Sequence, residues 1–321
     1  YRLIEQVDVL TENFTPGTMD RLGFGFDELA TRNPRLVYAS TSGFGQTGPY
    51  RDRGAVDVIV QGMGGLMSIT GHPDGPVTRA GYSIADMAGG MYTAIGVLGA
   101  LVERATSGLG QRVDVAMLDA QVALLENAVV RHLATGEVPG PIGTRHPLVT
   151  PFQAFATSDG HIVIASVKDW ELFCAKIDRD DLITDDRFQS NADRTANHAQ
   201  LEPILIEVFT TRTTEDWIEE LSAICLIGPV NTIPDLVRDP QIVSREMVVE
   251  LSHPQDPAAS LSVSNSPVKL SRTPAHAQGP APRAGQHSLT ILREMLDLSE
   301  ADVHALVDEG VTSLDSGSTE S

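Results

Sequence analysis

The stretch Gly81 to Asp119, GYSIADMAGGMYTAIGVLGALVERATSGLGQRVDVAMLD, constrains this chain most. Between Met87 and Arg104 it is apolar nearly all round: Met87, Ala88, Met91, Tyr92, Ala94, Ile95, Val97, Leu98, Ala100, Leu101 and Val102. A helix apolar on every side is expected to be buried. Gly89, Gly90, Gly96 and Gly99 interrupt it. Each costs about 1 kcal/mol against Ala in a helix, so each is expected where another backbone approaches closely. Asp86 stands at the entrance, where Asp is a preferred cap and the helix dipole favours an anion. Ser107-Gly108-Leu109-Gly110 supplies a glycine-type end. Gln111 to Met117 then alternates like a strand.

A lone acid at a helix start is ordinarily a cap worth about 1 kcal/mol, so chemistry at Asp86 needs support from its surroundings. The chain has 321 residues, enough for one large or two ordinary domains. No run approaches 18 apolar residues and no signal peptide is visible, so a soluble protein is expected. Cys174 and Cys225 lack metal or redox spacing; Cys174, beside Trp170, Phe173 and Ile177, reads as a core thiol, and the expected compartment is the cytoplasm. The nine histidines include no H-E-x-x-H or H-x-x-x-H pair, so no metal is expected. A net charge of -20 argues against nucleic acid and anionic membranes as partners. The chain opens at Tyr1 as though inside an element, so its natural start is expected to lie upstream.

In chain order, Val7 to Leu10 reads as a strand, and Thr11 to Gly17 as a turn into a helix carrying Met19, Arg21 and Leu22. Asn33 to Ser40 gives a turn and a buried strand. Gly43-Phe44-Gly45-Gln46-Thr47-Gly48 is formally a G-x-G-x-x-G, but Pro49-Tyr50 follows in place of a helix and no acid lies about 20 residues on. A dinucleotide site is therefore rejected. Val56 and Asp57 read as strand, with Gly62, Gly64 and Gly65 forming a second glycine loop. A helix from Ala120 to Thr135 ends at Gly136, and Pro139 to Gly143 reads as a linker. A hairpin turning at Ser158-Asp159-Gly160 and a helix around Trp170 to Ile177 follow. Thr213-x-x-Asp216 caps a helix that buries Trp217, Leu221 and Ile224. Met247 to Leu251 and Val263 to Leu270 read as strands, Arg272 to Gln286 as extended, and Leu289 to Leu296 as a helix. A last helix, capped by Ser299-x-x-Asp302, stops at Gly310 before a Ser/Gly/Thr tail read as disordered.

The pattern G-x-S-I-A-D-x-x-G-G, then E-R-x-x-[ST]-G-x-G-Q-x-V-D-V and L-D-A, resembles the class III CoA-transferases, the formyl-CoA transferase (CaiB/BaiF) family. Upstream, E-N-F-x-P-G-x-x-x-R-L-G is similar to that family's CoA-contact segment; Pro151 to Trp170, Asp239-Pro240 and Gly285-Gln286-His287 match more loosely. The resemblance implies an α/β fold: a Rossmann-like large domain (1–140 and 246–321) and a small α+β domain (141–245), in a ring-shaped subunit of an interlocked homodimer. It implies Asp86 as nucleophile, Asn13, Phe14 and Arg21 as CoA contacts, and coenzyme A entering as a substrate thioester without metal. Gly43, Gly45, Gly62, Gly64 and Gly65 would form loops over the thioester, their amides candidates for the oxyanion site. The partners implied are an acyl-CoA and a small carboxylic acid. No Gly-run loop opens the small domain, so formate and oxalate are not implied as substrates.

The activity implied is transfer of CoA from an acyl-CoA to a carboxylic acid through a covalent aspartyl intermediate. The same fold hosts 2-methylacyl-CoA racemases, which place an acid/base His thirty residues before the Asp. Val56 occupies that position here and transfers no proton, while Asp57, if in a strand, points to the opposite face. Transferase is therefore favoured, with the racemase and a non-catalytic CoA-binding remnant as alternatives.

Overall fold

The computed structural model describes residues 1–252, 259–277 and 279–315. Residues 253–258, between the two late strands, and the end of the tail read as disordered lie outside them. The chain falls into two compact units, Leu3–Val230 and the chain from Asn231 on.

The first unit opens with β1 (Val9–Glu12), α1 (Thr18–Arg21), α2 (Phe26–Arg32) and β2 (Val37–Ser42). After it come α3 (Asp57–Met63), α4 (Leu66–Ile69), α5 (Ile84–Ser107), β3 (Arg112–Ala116), α6 (Met117–Leu124) and α7 (Glu126–Thr135). The strands pair in parallel in the order β1-β2-β3, with Val9 opposite Val37 and Tyr38 opposite Arg112. Parallel neighbours need a long crossover; between β2 and β3 it carries α3, α4 and α5, and α5 returns across β2 and β3. Val37, Tyr38 and Ala39 are buried, as a central parallel strand covered on both faces requires. Gly110 is obligatory where α5 turns into β3, because a Cβ there would stand 2.0 Å from the Leu36 carbonyl oxygen.

The unit continues with β4 (Gln153–Ala156), β5 (His161–Ala165), α8 (Trp170–Lys176), α9 (Asn191–Ala196), α10 (His198–Phe209), α11 (Thr214–Leu221) and β6 (Leu226–Pro229). Its second sheet is antiparallel, β4-β5-β6, with the hairpin turning at Ser158–Gly160 as expected. One core joins this sheet to its helices: Phe155, Ile162, Ile164, Phe173, Cys174, Phe188, Leu205, Phe209, Trp217 and Leu221 among others. The predicted capping box at Thr213 and Asp216 is present, with both reciprocal bonds made. Cys174 is a core thiol, its pKa pushed to about 12 by burial.

The second unit holds α12 (Ile233–Leu236), α13 (Pro240–Ser244), the antiparallel pair β7 (Val248–Ser252) and β8 (Ser260–Ser264), α14 (Ser288–Leu296) and α15 (Glu300–Asp308). The Ser299–Asp302 capping box is formed.

The α/β class expected from the sequence holds. Four local expectations change. The residues read as strand at Val56 and Asp57 are instead the cap and first turn of α3. The helix after Asp119 starts earlier, at Met117, and breaks at Leu125. The last strand is Ser260–Ser264 rather than Val263 to Leu270. The largest change concerns α5, which is not buried all round.

Only Ala85, Ala88, Gly89, Thr93 and Ala100 of α5 are buried. Met87, Met91, Ile95, Leu98 and Val102 are 54–74% exposed. Of the four glycines, Gly89 and Gly96 face inward: a Cβ at Gly89 would meet Met117 of α6 at 3.2 Å and Thr41 of β2 at 3.4 Å, and one at Gly96 would meet Val113 of β3 at 2.6 Å. Gly90 and Gly99 have nothing within 4 Å. Over 24 residues α5 is also the one described helix long and apolar enough, by length and composition, to cross a bilayer. Its inner face nevertheless packs on β2, β3, α3 and α6, as a core helix does.

Candidate active site

Asp86 lies in the first turn of α5, and the N-cap is Ser83 rather than Asp86. The expected capping role falls instead to a residue from another helix. The Asp57 Oδ1 accepts the Ala85 amide N–H at 2.9 Å, satisfying one of the first-turn donors of α5. Asp57 is the first residue of α3 and is buried. Its Oδ2 accepts Gln61 Nε2 at 2.7 Å, and the Arg79 guanidinium stands 4.0 Å from the same oxygen. Gln61 is fully buried; its Oε1 accepts the Ala80 N–H at 2.9 Å and its Nε2 also donates to the Tyr82 carbonyl at 3.3 Å.

Asp86 itself is exposed, and among the described residues nothing donates to its carboxylate. Its pKa is raised above the ordinary carboxylate value, first because protein on one side removes water, then because Asp57 is negative nearby. A carboxylate whose pKa is raised by desolvation and a like charge is a candidate functional group. At the ordinary Asp value of about 3.9 the group is fully ionised near pH 7, and one pKa unit corresponds to about 1.4 kcal/mol. A carboxylate can thus lose a few kcal/mol of solvation before protonation removes it as a nucleophile.

The segment expected to contact CoA runs from the end of β1 through α1, with Asn13 and Phe14 in the turn between them and Arg21 the last residue of α1. Asn13, Phe14 and Arg21 are all exposed. The Phe14 amide is held by Glu12 Oε2 at 2.8 Å, and Arg21 Nη2 donates to Thr18 Oγ1 at 2.9 Å. Gly17 takes a left-handed φ of 80°, and the guanidinium groups of Arg21 and Arg51 converge on it, 3.4 and 3.9 Å from where its Cβ would stand. Sequence reading missed Arg51. It comes from the loop after β2, and only the fold brings it here.

Residues 43–53 form a loop held by its own side chains. Phe44 and Tyr50 pack edge to face, with Arg53 over the Tyr50 ring at 4.7 Å. Gly45 has a φ of 84°, and its N–H donates to Ser42 Oγ; the Gln46 N–H donates to Asp114. No helix starts directly after Gly48; the next, α3, begins at Asp57. The second glycine group is not a loop. Gly62 lies within α3, while the Gly64 and Gly65 amides donate to the carbonyls of Val60 and Gly62 as that helix ends. The Gly45, Gly64 and Gly65 amides are thus committed within the protein, which removes them as oxyanion donors in this arrangement. A cleft of about 300 Å³ opens along the first loop, lined by Phe44, Thr47 and Gly48 together with Asp114 and Asp119. Asp86 does not line it, and two carboxylates on its wall repel a polyanion.

Residues 1–288 match CoA-transferase family III. An acetyl-CoA:oxalate CoA-transferase of Acetobacter aceti is 38% identical over 297 residues, 91% of this chain and 75% of that protein. The chain belongs to CoA-transferase family III.

Two further proteins are similar over most of this chain. An acyl-CoA transferase of Fusarium pseudograminearum is 37% identical over 91% of this chain, which spans 65% of that protein's length, less than two thirds. The crystal structure of a CAIB/BAIF family protein from Brucella suis superposes with a TM-score of 0.81 at 33% identity, covering 92% of this chain and 77% of that one. Within this family III fold, the Asp57–Gln61 pair is the second feature that sequence reading missed. The signal for it was present: Asp57 and Gln61 are four residues apart, one helical turn, once the segment is read as helix.

Proposed function

We propose that this chain transfers CoA between an acyl-CoA and a carboxylic acid, with Asp86 as the covalent residue. One observation carries the reading: an unpartnered carboxylate of raised pKa on the first turn of α5, in a chain of CoA-transferase family III. The Asp86 carboxylate attacks the thioester carbonyl and the C–S bond breaks, giving an aspartyl mixed anhydride and CoA thiolate. The thiolate attacks the Asp86 carbonyl carbon, releasing the donor acid and leaving an aspartyl-CoA thioester. The acceptor carboxylate attacks that thioester, expelling the thiolate, which then takes the acyl group from the new anhydride and frees Asp86. Each difficult transfer becomes two easier ones. No general base is required, because every nucleophile is already an anion. Asn13, Phe14 and Arg21, joined by Arg51, would hold CoA, the two guanidinium groups meeting its phosphates. Gly43 and Gly45 would border the thioester.

Asp86→Ala should abolish transfer while CoA still binds, and hydroxylamine added during turnover should convert Asp86 to a hydroxamate seen by peptide mass. More than a few per cent of activity in Asp86→Ala overturns the assignment. The racemase alternative needs a second acid/base group where Val56 stands; Val56 caps α3, and Asp57 beside it has both oxygens engaged. A 2-methylacyl-CoA incubated in D₂O should therefore show no deuterium at the α-carbon, whereas a non-catalytic remnant would bind CoA and exchange nothing.

The same reading includes a homodimer, cytoplasmic, with 1–140 and 246–321 as the CoA-binding domain and 141–245 as the small one. The outer stripe of α5 supports the dimer. An exposed apolar patch of this kind marks an interaction surface, and Gly90 and Gly99 leave room there for a second backbone.

A further inference from the structure

We infer that Asp57 and Gln61 form a clamp that fixes where the Asp86 carboxylate points; this rests on Asp86 as the nucleophile. Three backbone groups of the segment leading into α5, at Ala80, Tyr82 and Ala85, are held by these two side chains of α3. Both side chains are buried, and they are bonded to each other. Asp86 follows Ala85 directly and has no donor of its own among the described residues, so its position is inherited from the backbone turn the clamp holds. A group that reacts by direct attack must be placed to within about an ångström, and a misplacement of about 1 Å can lower the rate about 100-fold. The clamp also explains a costly feature. A carboxylate buried beside a second carboxylate is unfavourable, yet Asp57 is kept there by an amide N–H, a side-chain amide and the Arg79 guanidinium. An apolar residue at 57 would fill the space without the repulsion, but it would release Ala85 and leave the Gln61 Nε2 with only the longer bond to the Tyr82 carbonyl. Neither side chain need touch substrate; they are positioning residues.

The hydrogen-bond pattern gives a specific test. In Asp57→Asn one carbonyl oxygen remains for the Ala85 N–H, but the new amide faces the amide nitrogen of Gln61, donor against donor. Adding Gln61→Glu restores a complementary pair, because the amide introduced at position 57 then donates to a carboxylate that also accepts the Ala80 N–H. Asp57→Asn should lower kcat about 100-fold with KM for acyl-CoA and calorimetric CoA affinity within about threefold, a change of under about 0.7 kcal/mol. The double variant should recover at least about tenfold, short of full activity because the Tyr82 carbonyl loses its donor. Hydrogen exchange of peptides spanning 80–86 should speed up in Asp57→Asn and slow again in the double variant. A kcat in Asp57→Asn near that of the unaltered protein overturns the clamp and leaves Asp86 untouched, as does a loss of CoA affinity and melting temperature in step with kcat that the double variant does not reverse. If Asp86→Ala stays active, the nucleophile assignment fails by itself; exchange then decides, faster opening at 80–86 keeping the clamp and unchanged exchange removing it.

Discussion

Phe155, Phe173, Phe209 and Trp217 are each no more than 2% exposed, whereas Met87, Met91, Ile95, Leu98 and Val102 are all more than half exposed. Both sets are large apolar side chains within the same unit. The difference lies in how their elements are patterned. Helix α11, TEDWIEEL, carries Trp217 and Leu221 on one side and acids on the other, so only one orientation buries its apolar face. Trp217 meets Phe209 edge to face at 5.1 Å, and its Nε1 donates to the Phe209 carbonyl at 2.9 Å. Helix α5 has no polar side, and its orientation is decided by size. Ala85, Gly89, Thr93, Gly96 and Ala100 turn to the sheet; Met87, Met91, Ile95, Leu98 and Val102 turn away. Both rows follow the same spacing and are offset by two residues, about 200° around a helix. A closely approaching sheet accepts only the small row.

The sharpest way to break this comparison is truncation on each side of it. Trp217→Ala should cost about 3–5 kcal/mol in urea unfolding, and Leu98→Ala no more than about 0.5 kcal/mol under dilute, monomeric conditions. Comparable losses would mean that the outer face of α5 is already covered by its own chain. Arg194 extends the contrast to polar groups. It is buried, donates to the carbonyls of Thr150, Phe188 and Gln189, and lies over Trp170 at 4.4 Å. Arg194→Met should cost about 3 kcal/mol, because buried carbonyls lose their donors at about 1–3 kcal/mol each; a loss below about 1 kcal/mol would show that they find other partners.

Ile95→Glu addresses the outer face directly. Sedimentation should show self-association weakened at least tenfold, about 1.4 kcal/mol, with unchanged circular dichroism. Intact association would place the interface elsewhere. The smallest effect is the pH response of the β4–α10 region. Burial, then the Arg145 charge, lower the His198 pKa below its ordinary 6.5, with Glu202 opposing. The unfolded chain therefore binds the proton more readily, so this contribution is complete above about pH 6.5 and declines as pH falls through that value, levelling off below the folded pKa. Denaturation midpoints between about pH 5 and 7 should show this slope, and His198→Gln should flatten it. An unchanged slope would assign the response to other groups.

Much of the fold was legible because it rests on local chemistry. The capping boxes at Thr213 and Ser299, the turn at Ser158–Gly160, the glycine end of α5 and the core position of Cys174 follow from neighbours in sequence. The run Asp57–Met63 was misread because an apolar stretch of seven fits strand or helix equally well, and only the Asp57–Gln61 and Asp57–Ala85 bonds decide for helix. Asp86 was visible as a single acid before an apolar helix.

By itself, then, the sequence determined the position of Asp86 at the entry to α5 and the polar turns that punctuate the chain, because caps, glycine turns and periodicity act over a few residues; the α/β class came through the motifs that carry the family resemblance. Only the tertiary structure decided which face of α5 meets the sheet, that Asp57 rather than Asp86 satisfies the helix start, and that Arg51 joins Arg21 beside Gly17. Each of these pairs groups far apart in the chain. Their meeting depends on the distance of closest approach between packed elements, which no local pattern encodes.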